Sequence, residues 1–269
     1  MPTRDSCIEI DVERERIAGT LVAPRTMVPA VLFVHGWGGS QEQYLARARE
    51  IAALGCICLT FDLRGHARTQ PQHDTVSRAD NLKDVLAAYD ELVNHPSVDA
   101  SAIAVVGSSY GGYLAAILTA LRPVRWLALR VPALYPDADW ELPKKELHKL
   151  SDLRAYRRRH LRPQDNRALK ACAAFKGDIL IVESEHDDTV PHATIQSYVE
   201  AATHAHSLTY RVIEGADHGL AQEPAQRAYT ALLVSWFAEM VFGARQGGPT
   251  AHAASRAGVA PEEAPPRPG

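Results

Sequence analysis

AIAVVGSSYGGYLAAILTAL, residues 102–121, is the stretch whose reading decides the fold. It opens as a nearly continuous apolar run, the pattern of a strand covered on both faces, and it ends in the Ala- and Leu-rich pattern of a helix. Between them lies Gly107-Ser108-Ser109-Tyr110-Gly111, a G-x-S-x-G turn. Small residues two before and two after the central serine let neighbouring backbones approach closely, so Ser109 is expected at the C-terminal edge of a sheet with its hydroxyl exposed. The helix that follows aims its free N–H groups and the positive end of its dipole at the reacting centre, which favours negative charge developing there. Ser108 is one position off this spacing and should point elsewhere. A tight turn alone would also use small residues; the placement between buried strand and helix is what argues for a nucleophile.

Working outward, short apolar runs alternate with longer helical patterns, as in parallel strands joined by crossover helices. AVLFVHG (30–36), CICLTFD (56–62), AIAVVGS (102–108), WLALRV (126–131) and DILIVES (178–184) read as buried strands, and LTYRVIEG (208–215) as a further one. CIEIDV (7–12) and RIAGTLVA (16–23) alternate polar and apolar residues like antiparallel edge strands. The expectation is an α/β fold with one eight-stranded, mostly parallel sheet flanked by helices. Helical patterns fall near Gln43–Leu54, Asn81–Asn94, Gly111–Leu121, Thr194–Ala201 and Gln222–Phe242. Residues 134–175, interrupted by Pro136, Pro143 and Pro163 and rich in charge, read as a small helical cap inserted in a domain spanning 1–243. The Ala-, Gly- and Pro-dominated segment 244–269 is expected to be a disordered tail.

At 269 residues the chain can bury one large core, and a net charge of −3 supplies no field for nucleic acid or an anionic membrane. Charges break every apolar run of the N-terminus, so neither a secretory signal nor a membrane span is expected, and cytoplasmic residence is the default reading. Cys7, Cys56, Cys58 and Cys172 are too few for a disulfide framework and lack zinc-site spacing, so free thiols and no metal are expected.

The motifs VHGWGGS (34–40), FDLRGHA (61–67), GSSYGGY (107–113), EHDDTVP (185–191) and GADHG (215–219), in that order, make the chain resemble the α/β-hydrolase superfamily. SYGG followed by tyrosine is similar to the catalytic domains of prolyl-oligopeptidase-like peptidases, and the compact size is similar to dienelactone-hydrolase-like and feruloyl-type esterases. The resemblance implies an α/β-hydrolase fold, no cofactor, and the chain order nucleophile, acid, histidine. Of twelve histidines, His218 alone follows the last predicted strand inside the folded region, so it is the expected base. Asp187 is the family-favoured acid and Asp188 the runner-up, whose plainer role is to cap the helix that follows. The oxyanion hole is expected from the backbone N–H groups of Trp37 and Tyr110. The resemblance makes His35 a brace for its loop, and Asp62, Arg64 and His66 read as residues that fix the loop beside the site, where Ala67 stands in place of a common glycine.

Tyr135, Trp140 and Leu142 open the cap and are candidates to line an acyl or aromatic pocket, or else to dock the cap on the sheet. Lys144, Lys145, Lys149, Arg154, Arg157, Arg158, Arg159 and Arg162 make the cap basic; a solvated face is the plain reading and an anionic leaving group the sharper one. The expected function is hydrolysis of short-chain or aromatic carboxylic esters through an acyl-enzyme, with a small-molecule ester as partner. A thioesterase or small-peptide hydrolase would use the same triad, and a binding protein could keep this fold without turnover. Oligomeric state is open, a dimer included.

Overall fold

The computed structural model describes residues 3–12, 15–24, 27–150 and 152–246. Strands β1 (Thr3–Val12) and β2 (Glu15–Pro24) pair antiparallel along their length, from Thr3 opposite Pro24 to Val12 opposite Glu15. The main sheet contains β3 (Val28–Val34), β4 (Ile57–Thr60), β5 (Val98–Ser108), β6 (Trp126–Arg130), β7 (Asp178–His186) and β8 (Ser207–Asp217), in the order β4-β3-β5-β6-β7-β8. Every neighbouring pair in it is parallel. The sheet therefore has six strands rather than the eight expected. Polar/apolar alternation identified β1 and β2 as strands, but period alone does not say which edge a strand pairs with, and these two pair with each other. β4, only four residues long and half-buried throughout, ends the sheet on that side; a short edge strand offers little ladder to an added strand.

Helices cover both faces. On one face α2 (Arg78–Val93), α3 (Tyr110–Leu118), α6 (Arg167–Ala174) and α7 (His192–Ala201) bury Val85, Leu92, Leu114, Leu169, Ile195 and Tyr198 against β3, β5 and β7. On the other, α1 (Glu42–Ala52) and α8 (Glu223–Gln246) bury Ile51, Leu233 and Phe237 against Phe33 and Trp126. Every residue of α3 is buried, which accounts for a helix that is apolar all round. α2 begins at a capping box: the Ser77 hydroxyl accepts from the Asp80 N–H while the Asp80 carboxylate accepts from the Ser77 N–H.

The segment between β6 and β7 is helical, with α4 (Leu147–Leu150) and α5 (Leu153–Arg158) ahead of α6. Its Leu134, Leu147, Leu153 and Leu161 belong to the same core as α3. α8 runs to Gln246, past the expected boundary at 243; the remainder of the segment expected to be a tail lies outside the described residues. No helix among the described residues is long and apolar enough to cross a membrane.

Candidate active site

The turn between β5 and α3 sets the site. Ser109 has φ +52° and ψ −117°, a conformation costing on the order of 1–3 kcal/mol that persists only where the surroundings fix it. They do so from both sides: its N–H donates to the Arg130 carbonyl at 2.9 Å, and its carbonyl accepts from Tyr113 N–H at 3.1 Å and Ala133 N–H at 3.0 Å. The flanking glycines are required by space. A Cβ on Gly107 would lie 2.5 Å from the Gly111 carbonyl oxygen, and one on Gly111 would lie 2.1 Å from that of Val34.

Three side chains distant in sequence meet here. His218 Nε2 lies 3.0 Å from Ser109 Oγ, and its Nδ1 lies 2.7 Å from Asp187 Oδ2. An anionic acceptor at Nδ1 fixes the proton there, which leaves Nε2 as the acceptor facing the serine hydroxyl. Asp187 sits just past β7, its side chain 3% exposed, and its second oxygen accepts from the N–H groups of Thr189 (2.8 Å) and Val190 (2.7 Å). Burial acts to raise its pKa, but the His218 hydrogen bond and the two N–H donors outweigh it, so the carboxyl is held below its ordinary value. Asp188 is exposed and makes neither contact. The backbone at 218 is itself tied down, since Arg130 Nη2 donates to the His218 carbonyl at 2.9 Å.

The loop after β3 lies against the serine: a Cβ on Gly36 would touch Ser109 Cβ at 3.4 Å. Tyr110 occupies the first position of α3, where its N–H has no intrahelical acceptor. The Trp37 ring is wedged among Tyr110 (5.6 Å between centroids), His66 (4.8 Å) and His73 (4.7 Å), with Lys144 Nζ 4.0 Å above it. His35 Nε2 accepts the Leu63 N–H at 3.0 Å and His66 Nε2 accepts the Gly38 N–H at 3.0 Å. Both imidazoles therefore brace loops as neutral acceptors, and burial lowers the pKa of each. Asp62 accepts twice from Gln41, and Arg64 pairs with Asp84, so these too hold loops in place. Ala67 adopts φ +46°, the left-handed conformation that glycine takes without strain.

A cleft of about 340 Å³ opens beside Ser109 and His218. Its walls are Gly36–Gly39, Ser108, Arg130 and Leu220 together with Gln43, Tyr44 and Arg47 of α1 and Gln226 and Tyr229 of α8. Tyr135, Trp140 and Leu142 are not among them. Tyr135 is buried edge-on to Tyr110 and Tyr113, Trp140 lies under Arg167 Cζ at 4.0 Å, and Leu142 is 40% exposed. The first two pack the β6–β7 segment onto the core, because the cleft opens toward α1 and α8 whereas they lie against α3. The basic stretch likewise divides. Lys144 and Arg157 are buried, Lys144 among the Trp37, Tyr110 and Tyr135 rings and Arg157 on the carbonyls of Leu134 and Thr189. Lys145 and Lys149 form exposed pairs with Asp74 and Glu146.

The cleft residues Arg47, Arg130 and Tyr229 were not singled out from sequence. A signal existed for one of them: in WLALRV, Arg130 is a charge inside a strand otherwise apolar on both faces.

Comparison with known proteins agrees with this architecture. The chain is 27% identical over 266 residues to Esterase LipC of Mycobacterium tuberculosis, covering 91% of this chain but spanning only 60% of that relative's length. Among solved structures it superposes on a dienelactone hydrolase from Anabaena variabilis (TM-score 0.57, 20% identity, 87% of this chain and 97% of that one). It also superposes on carboxyl esterase 2 from Tuber melanosporum (TM-score 0.59, 17% identity, 89% and 87%) and on an acylaminoacyl peptidase from Pyrococcus horikoshii (TM-score 0.57, 16% identity, 87% and 41%). Residues 41–243 match the prolyl oligopeptidase family, so the chain belongs to that family of hydrolases within the α/β-hydrolase superfamily.

Proposed function

We propose that the protein is a serine esterase in which Ser109 is the nucleophile, His218 the base and Asp187 the acid that orients it. The observation that carries this reading is the unbroken chain from Ser109 Oγ through the imidazole to a buried carboxylate. As Ser109 Oγ attacks the ester carbonyl carbon, its proton passes to His218 Nε2 and the carbonyl electrons move onto oxygen. The N–H groups of Trp37 and Tyr110 are the donors for that oxyanion, a contribution of about 3–4 kcal/mol each where single donors have been removed in other enzymes. The C–O bond to the alcohol then breaks as His218 gives it the proton, leaving an acyl-Ser109 ester. Water, deprotonated by the same nitrogen, reverses the sequence and releases the acid. Asp187 stays ionised throughout and stabilises the imidazolium.

Short or aromatic acyl groups suit the small cleft. Peptide-bond or thioester cleavage would use the same groups, and membership of a family named for a peptidase supports keeping amides in the test. Labelling with a fluorophosphonate decides first whether the site is live: wild type should label and Ser109→Ala should not. Equal labelling of the two removes Ser109 as nucleophile, and no labelling of folded wild type favours a fold kept for binding alone. A panel of p-nitrophenyl esters, a thioester and an aminoacyl anilide then ranks the leaving groups.

A further inference from the structure

Arg130 is a buried guanidinium in the wall of the cleft. It is 7% exposed at the end of β6, and its three hydrogen bonds go to neutral oxygens: the His218 carbonyl at 2.9 Å, Ser108 Oγ at 3.3 Å and Ser184 Oγ at 3.4 Å. The last two are long for charged donors. No carboxylate among the described residues lies within ion-pair distance of it. Arg78, fully buried, is held by the carbonyls of Pro136 and Ala138 at 2.5 Å each while its Nε has no hydrogen bond, and the partly exposed Arg64 and Arg167 have Asp84 and Asp137. Removing a cation from water costs several kcal/mol unless a partner compensates. Arg157 likewise depends on neutral oxygens, the carbonyls of Leu134 and Thr189 at 3.1 and 3.2 Å, but of these three buried guanidiniums Arg130 is the one that lines the cleft.

The surroundings extend the pattern. Arg47 lies with Cζ 5.0 Å from the Tyr229 ring centroid, and Arg130 Cζ lies 5.6 Å from the same centroid, so one ring brings two like charges into one cleft. Arg47 spends Nε on Thr230 and Nη1 on the Gln43 carbonyl, again neutral partners. The Tyr229 hydroxyl is buried beside Ser108 without a hydrogen bond of normal geometry, and burial pushes its pKa up to about 12, so it stays a donor. No Asp or Glu lines the cleft.

We propose that this cleft binds a carboxylate carried by the ester substrate, held between Arg130 and Arg47 with the Tyr229 hydroxyl as a further donor. The proposal rests on the esterase reading above and names its substrate class: esters with a carboxylate on the acyl or the alcohol half. Two planar guanidinium forks match the two coplanar oxygens of a carboxylate.

The test pairs esters that differ in charge. Mono-4-nitrophenyl glutarate is compared with 4-nitrophenyl valerate, and 4-carboxyphenyl valerate with phenyl valerate. One carboxylate ester should exceed its neutral partner in kcat/KM by roughly 10- to 100-fold, the range of a charged hydrogen-bonded pair. Arg130→Gln and Arg47→Gln should each shrink that ratio about tenfold. The ratio is the readout because Arg130 also ties down the His218 carbonyl, so a merely structural loss lowers both esters alike and leaves it unchanged. Calorimetry on Ser109→Ala with the same esters reads anion preference without turnover. Equal binding and equal kcat/KM for charged and neutral esters overturn the proposal while fluorophosphonate labelling leaves the esterase reading intact. A preference for phosphate-bearing esters alone overturns the carboxylate assignment. If wild type neither labels nor hydrolyses any ester, the esterase reading fails, and calorimetry still decides whether the cleft prefers the anion.

Discussion

Gly111 and Val34 touch backbone to backbone: a Cβ on Gly111 would sit 2.1 Å from the Val34 carbonyl oxygen and 2.5 Å from that of His35. This contact seats the first turn of α3 on the end of β3, and so brings the Ser109 elbow and the Trp37 loop to one place. The proposed nucleophile and the proposed oxyanion donor at Trp37 otherwise belong to separate elements.

Gly111→Ala is therefore expected to push α3 off β3, at about 1–3 kcal/mol, the usual cost of overpacking. The thermal midpoint should fall by roughly 2–4 °C for each kcal/mol, and fluorophosphonate labelling should slow beyond what the stability loss explains. Gly243→Ala in α8, where an added Cβ meets nothing within 4 Å, is the control and should not lower the midpoint. Equal effects of the two substitutions would contradict the steric account.

Asp187 and Asp188 offer a second check. Asp187→Asn keeps the shape but no longer fixes the His218 proton on Nδ1, which in other triads costs about 10⁴-fold in kcat. Asp188→Asn, at an exposed carboxylate, should stay within about threefold. Steady-state kinetics on one chromogenic ester reads both, and a larger loss at 188 would reverse the assignment.

Much of this was legible in the chain. The G-x-S-x-G turn stood between a strand segment, residues 102–108, and a helix whose residues are all buried, because steric need and apolar pattern are both local. Order along the sequence selected His218, since a loop at the end of β8 has few histidines to offer. What was not legible depended on direction. Tyr135 and Trp140 read equally well as pocket or packing, and only the three-dimensional path shows them on the α3 side while the cleft faces α1 and α8. Arg47 and Tyr229 come from helices 182 residues apart in numbering, and nothing in either segment announces the other. That the antiparallel pair β1 and β2 forms its own sheet and does not extend the main one escaped for a similar reason, because alternation fixes faces and leaves partners open.

His35 and His66 give a pH prediction. Both are neutral acceptors in the fold with pKa values lowered mainly by burial from the ordinary 6.5. The unfolded chain binds protons first as pH falls, so the stability these groups contribute is present in full above about 6.5 and is lost below it, as pH approaches the depressed folded values. The slope is at most about 1.4 kcal/mol per pH unit for each proton. Urea unfolding of wild type at pH 8 and pH 5.5 should show a loss that His35→Gln, whose amide oxygen can still accept the Leu63 N–H, reduces. An unchanged pH dependence in the variant would remove His35 from the account.

The cleft predicts acyl-chain selectivity as well. At about 340 Å³ it lies near the lower end of ligand pockets, and its walls carry Gln43, Arg47, Arg130 and Gln226 beside Leu220 and Trp37. A methylene contributes about 0.8 kcal/mol only when it leaves water for an apolar contact. Chain beyond the first few carbons would run along guanidinium and amide groups or out into solvent, so lengthening it adds little binding and desolvates charge. In a p-nitrophenyl series, kcat/KM should peak between acetate and hexanoate and fall at least about tenfold by palmitate, measured below the micelle concentration of each ester. Arg130→Met should flatten this fall by replacing a charged wall with an apolar one of similar length. A rate that climbs steadily to palmitate in wild type would mean that the chain finds an apolar surface elsewhere, and that the cleft between α1 and α8 does not hold the acyl group.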